Sequence, residues 1–257
     1  MAILSVLLAL ILPSVFRARE AAIATADLSQ LSQINKAFLM YVSDNDGRYP
    51  AAYEKPSQGE SIESTGVPGK VAQYTWVLRV YPYVKSTEAF WSPVSRDCKI
   101  EGVSWKDKKR DDFAYIFSYL PSWGYNAQYF SPHAGNKQKF ALNPSFALAP
   151  IHESKVQDPS ATLMLGSSTC ADVIGFTKGV NNVGFYRIAP PSLTSYWKSS
   201  NSKKESAHVY GHLWPRFRSG KAVNAAFPDG HVKTLPINDF KDEQIWQVQK
   251  GVSWKDQ

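Results

Sequence analysis

The residues best suited to proton transfer or metal ligation in this chain are its five histidines, His133, His152, His208, His212 and His231. His208 and His212 stand at i and i+4, a spacing at which two imidazoles share a helix face and can grip one metal ion. Tyr210 and Gly211 between them, and Pro215 after them, predict a loop instead. No H-E-x-x-H, G-x-S-x-G, Walker or dinucleotide-binding pattern occurs, and His152-Glu153 is an isolated dipeptide. The histidines read as surface or hydrogen-bonded groups, and the sequence predicts a protein that is not an enzyme.

Two further clusters invite chemistry. Asp44-Asn45-Asp46-Gly47 has the carboxylates and turn glycine of a hard-cation loop, but the twelfth position counted from Asp44 is Lys55, where that loop needs glutamate. The residues read instead as a helix stop, with Gly47 as a left-handed cap and Pro50 ending any continuation. The two cysteines, Cys98 and Cys170, form no C-x-x-C, so zinc is unsupported. An oxidising compartment would permit them to form a disulfide. The net charge of +7 could serve nucleic acid. Its clusters are not a stripe, however: Lys106, Lys108, Lys109 and Arg110 run straight into Asp111 and Asp112. They read as solvated faces, and no nucleic-acid partner is expected.

The element that must position everything else is the start of the chain. Residues 1–16 carry no charge. After Arg17, Arg19 and Glu20 the pattern becomes one-sided: Leu28, Leu31, Ile34, Phe38 and Tyr41 recur at helical spacing, with Asp27, Gln30, Gln33 and Lys36 off that stripe. One long helix is predicted, kinked if anywhere at Pro13, on the order of 60 Å long at about 1.5 Å per residue. The uncharged run is shorter than the roughly 20 residues of a membrane span. It is apolar on every face, so it needs a large core, lipid or neighbouring helices to cover it. Residues 1–24 therefore read as an assembly or anchoring half, with Ile3, Leu4, Leu7, Leu8, Leu10, Ile11 and Pro13 as its contact residues. Residues 25–257 read as the amphipathic half plus a globular head.

The stretch A-I-L-S-V-L-L-A-L-I-L-P-S-V-F-R-A-R-E-A-A resembles the N-terminal helix of type IV pilin-like proteins, and of type II secretion pseudopilins in particular. Y-V-S-D-N-D-G-R-Y-P is similar to the helix exit of a subgroup whose chains end in a motif written H-x9-D-G. The W-G-Y-N at 123–126, V-Q-D-P-S at 156–160 and N-A-A-F-P-D-G-H-V at 224–232 resemble further elements of that subgroup, in the same order. The histidine of H-x9-D-G is replaced by Ser219. The family's cleavage motif, Gly followed by Phe-Thr-Leu-x-Glu, does not stand in this chain, and the resemblance implies an in-frame upstream segment that supplies it.

The resemblance implies an α+β, pilin-like fold: the long helix packed on an antiparallel sheet head with long loops. It implies a filament subunit of a pilus or type II secretion pseudopilus, anchored in the bacterial inner membrane with a periplasmic or extracellular head. Its partners would be copies of itself, membrane lipid, the inner-membrane assembly machinery and a prepilin peptidase. No cofactor is expected. Major pseudopilins often hold calcium in C-terminal loops, but their ligands are not matched here. The runner-up is an anchored surface module whose aromatic head grips polysaccharide.

The rest of the chain fills in the head. Residues 51–70 read as an exposed loop, 74–84 as a short helix, 113–119 as a strand from its aromatic and β-branched composition, and 161–165 as a strand. Residues 173–206 read as an elaborated surface loop and 237–254 as a closing helix or strand. Two apolar runs flank Asp229-Gly230, a hairpin signal in which both residues are expected at positive φ.

Overall fold

The computed structural model of the protein describes residues 2–54, 66–68, 74–95, 99–100, 103–104, 113–131, 150–170, 183–193, 197 and 210–253; for residues 2–11, 99, 100, 103 and 104 it describes the backbone only. The fold is α+β. One helix, α1 (Ala2–Asp44), runs unbroken through Pro13 and lies against a four-stranded antiparallel sheet. The sheet comprises β5 (Trp123–Tyr125), β6 (Leu165–Ser167), β7 (Ala222–Ala226) and β8 (Val232–Pro236), in that order. Ahead of it in sequence come two small hairpins, β1 (Tyr53–Glu54) with β2 (Tyr74–Thr75) and β3 (Lys99–Ile100) with β4 (Val103–Ser104). The helices α2 (Trp76–Val84) and α3 (Phe113–Tyr119) pack on one another, and α2 also packs on α1; α4 (Ala127–Phe130) is a single turn after β5.

The helix ends where its sequence dictates. Asp46 and Gly47 are both left-handed, with φ of 52° and 73°, and the Gly47 N–H reaches back to the Val42 carbonyl at 2.9 Å. Glycine is required for a second reason as well. A Cβ there would stand 2.6 Å from His152 Nε2, because the chain at 151–153 pairs with the helix exit, Tyr49 N–H to Ile151 O and Glu153 N–H to Gly47 O.

Several sequence expectations are corrected. Residues 113–119 are helix, not strand. Phe113, Ala114, Ile116, Phe117, Ser118 and Tyr119 are all buried, and a short run buried on every face carries no period that separates helix from strand. Of residues 161–165 only Leu165 is in a strand, because Leu163 and Met164 bond instead to Ile245 O and Ala226 O. Within 173–206, residues 183–193 are not a surface loop. Phe185, Tyr186 and Ile188 are at most 1% exposed, and the segment bonds along β5 through Tyr125 N–H to Tyr186 O and Ile188 N–H to Tyr125 O. The described part of 237–254 forms two 3-10 turns, Ile237–Lys241 and Glu243–Ile245. Asp242 starts the second by accepting from the Gln244 N–H, and Phe240 and Trp246 anchor both in the core. Residues 51–53 are buried, so they are not part of the exposed loop expected over 51–70, most of which lies outside the described residues.

Candidate functional site

The candidate site is α1 itself, together with the junction that fixes it to the head. Leu31, Ile34 and Phe38 are fully buried, with Ala37 and Val42 beside them, while Leu28 and Tyr41 are only half-buried. Phe38 is the central knob: its ring lies 5.0 Å from Trp76 and 5.3 Å from Tyr125. Tilted aromatic pairs at such separations add attraction to the area buried.

Asp27, expected off the stripe, is 0% exposed. The reason is angular. At about 100° per residue, Asp27, Asn35, Phe38 and Val42 all fall within roughly 40° of Leu31, whereas Leu28 and Tyr41 fall roughly 60° and 80° away. The buried stripe therefore carries two polar residues, and the sheet answers both. Asn224 on β7 donates its Nδ2–H to Asp27 Oδ2 at 2.7 Å, and Thr234 on β8 donates to Asn224 Oδ1 at 2.6 Å. Asn35 donates to the Phe227 and His231 carbonyls at 3.1 and 3.3 Å, closing on the hairpin between β7 and β8.

Arg216 completes the cluster around Asp27. Its side chain is 2% exposed, and its Nη2 stands 3.6 Å from Asp27 Oδ1 and donates to Ser122 O at 3.1 Å. The guanidinium also lies over the Trp214 ring at 4.8 Å. Burial pulls the Arg216 guanidinium below its ordinary pKa, and Asp27 pulls it partly back. One turn of chain later, Arg218, Ser219 and Gly220 are left-handed in succession, which turns the Ser219 N–H toward Glu20 Oε1 at 3.2 Å. Two contacts from the 216–219 loop, to Asp27 and to Glu20, thus tie the helix down where it leaves the head. Sequence reading missed Asn35, Asn224 and Arg216. Only the angular position of Asp27 could have signalled that a partner must exist.

Beyond this junction the described side chains of the helix, residues 12–22, are exposed. Leu12, Val15 and Phe16 are 50%, 54% and 64% exposed, and Pro13 is exposed. Ile3, Leu4, Leu7, Leu8, Leu10 and Ile11 lie on the same helix, outside the described side chains. Between the exposed part and the head opens a cleft of about 210 Å³ lined by Phe16, Arg19, Glu20, Ile23, Val94, Arg216 and Phe217. Among the described residues no helix is long and apolar enough to cross a membrane.

The hairpin turn differs in detail from expectation. It runs 227–230, closed by Gly230 N–H to Phe227 O at 3.0 Å. Gly230 is left-handed at φ 95°, but Asp229 is not among the residues at positive φ. Asp229 Oδ1 instead accepts from the His231 N–H and faces His231 Nδ1 at 2.5 Å, and the His231 ring stacks on Phe227. Cys170 is buried; Cys98 lies outside the described residues, and so does its suggested pairing. His133 and His208 lie outside them too. His212 is buried and left-handed, with Nδ1 facing Thr169 O at 3.3 Å. Among the described residues no group of three or more His, Cys, Asp or Glu side chains could hold a metal ion. Every described tryptophan is buried or half-buried. Compared with protein-family models, curated proteins and solved structures, the chain matches none.

Proposed function

We propose that this chain is a pilin-like structural subunit that assembles through α1 into a pilus-like or type II secretion pseudopilus filament. One observation carries the reading: among the described side chains the head fully buries α1 only from Asp27 onward, while Leu12, Val15 and Phe16 stay at least half exposed on a helix that continues to Ala2. An apolar helix face without a cover is an interaction surface, and burying one leucine contributes on the order of 2 kcal/mol. Copies of the same helix supply the matching surface, and head-to-tail contacts between identical chains that do not close into a ring propagate as a helix. Membrane lipid would cover the same residues before assembly, with the head in the periplasm or outside the cell. The resemblance to pilin-like proteins at the helix, its D-N-D-G exit and the D-G-H-V hairpin points the same way. A prepilin peptidase and the inner-membrane assembly machinery would then act on the chain.

The test separates the two halves of α1. A chain begun at Ala24 is expected to be a soluble, cooperatively melting monomer. Leu8→Lys in the full chain is expected to leave the head folded and to abolish sedimentable fibres, because a charge in a dry helix bundle is strongly unfavourable. An unfolded Ala24 version, or normal fibres from Leu8→Lys, would sink the proposal.

A further inference from the structure

The cleft at the base of the head sits against the exposed part of the helix. Phe16, Arg19, Glu20 and Ile23 of α1 form one wall, and Val94 with Arg216 and Phe217 forms the other. Four of its seven lining residues, Phe16, Ile23, Val94 and Phe217, are apolar. Its volume of about 210 Å³ exceeds the roughly 150 Å³ that suffices to take up a benzene ring in an apolar cavity. Phe16 belongs both to the cleft and to the exposed strip of Leu12, Val15 and Phe16, so the cleft adjoins that strip.

We infer that this cleft is a socket for a large apolar side chain from residues 1–16 of a second copy of this chain. The inference rests on the filament reading and names where the neighbouring helix docks. Charge selects the occupant. The chain has a net charge of +7, yet every charged side chain lies after residue 16; the longer uncharged run at 113–136 is buried in the head over residues 113–131, apart from half-buried Tyr115, so residues 1–16 are the stretch of a second copy that can enter without bringing a charge. The Arg216 guanidinium is already paired with Asp27, and Glu20 is engaged by the Ser219 N–H. An arriving cation would find Arg19 and Arg216 and no unengaged carboxylate among the lining residues. An apolar side chain asks for none of these groups and covers Phe217, Val94 and Phe16. The contact joins two different patches of one chain, the head-to-tail kind that propagates rather than closes.

The test uses the full chain in membrane vesicles. Val94→Cys copies are mixed with Leu4→Cys, Leu8→Cys or Ile11→Cys copies and oxidised, with each single variant alone as the background set by Cys98 and Cys170. At least one mixture is expected to give disulfide-linked dimer tenfold or more above either variant alone. Val94→Asp and the cleft-filling Val94→Trp are each expected to reduce assembly tenfold or more, with the head's melting temperature unchanged for at least one of them. If no mixture cross-links while Leu12→Cys copies cross-link to one another, the filament stands and the socket is overturned. If Leu12→Cys copies also fail to link, the filament reading falls with it. A Val94→Cys thiol shielded from a water-soluble maleimide in vesicles, with no dimer from any mixture, assigns the cleft to lipid and likewise overturns the socket.

Discussion

Asn224 Nδ2 donates a 2.7 Å hydrogen bond to Asp27 Oδ2 across the interface between β7 and α1, with Arg216 Nη2 on the other carboxylate oxygen at 3.6 Å. A buried carboxylate is tolerated only with such partners. The cluster also fixes the register of a helix that apolar contacts alone would let slide or rotate.

The energetic consequence is asymmetric. Asp27→Leu strands a buried guanidinium and is expected to cost about 3–5 kcal/mol. Asn224→Leu leaves Asp27 with the arginine and should cost about 1–3 kcal/mol. The double variant Asp27→Leu/Arg216→Leu should be less destabilised than the sum of its two single variants. Chemical denaturation of the head measures all of these, and strict additivity would show that the pair does not act as a unit.

At the hairpin, Gly230 holds φ 95°, and an added Cβ would also stand 3.3 Å from Leu39 Cδ1. Gly230→Val should therefore cost upward of about 1 kcal/mol in backbone strain. Lys233 lies over the Phe227 ring at 4.6 Å, so Lys233→Ala should cost less, within the roughly 0.5–1 kcal/mol of an exposed cation–π contact. Equal melting temperatures for the two variants would remove the strained-turn assignment.

The aromatic core makes the head sensitive to alkali. Burial raises the pKa of Tyr119 and Tyr186 above the ordinary value. It also raises Tyr49, helped by the Glu153 carboxylate, and Tyr125, which rises well above that value. A folded pKa above the unfolded one means that the folded state holds the proton more tightly. The stability these groups contribute is fully present below the unfolded value of about 10 and is lost as pH rises beyond it. Tyrosinate absorbance from these residues should appear together with loss of structure and not before it. The Tyr125 hydroxyl has no hydrogen-bond partner among the described residues, so Tyr125→Phe should be neutral or stabilising and should flatten the alkaline limb. A Tyr125→Phe head that melts several degrees lower at neutral pH would contradict this.

The sequence by itself determined the helix, its end and its change of character. An uncharged run followed by a one-sided stripe, then Asp46-Gly47 and Pro50, are strong local signals, and here the tertiary context agrees with them. It also marked the hairpin at Asp229-Gly230, since few residues other than glycine tolerate the turn's left-handed position. Tertiary structure alone decided the rest. Residues 113–119 are enclosed by Phe90, Trp91 and α2, and burial on nearly every face left no period by which the sequence could separate helix from strand. Residues 183–193, poor in pattern, were drawn into the core because β5 offered unpaired backbone groups. Asp27, expected off the stripe, falls at about 100° per residue between Ile34 and Phe38 on the face that is buried; only Asn224 and Arg216, nearly two hundred residues away, make that burial tolerable. Pairings at that separation depend on how the chain returns to itself, which no local spacing encodes.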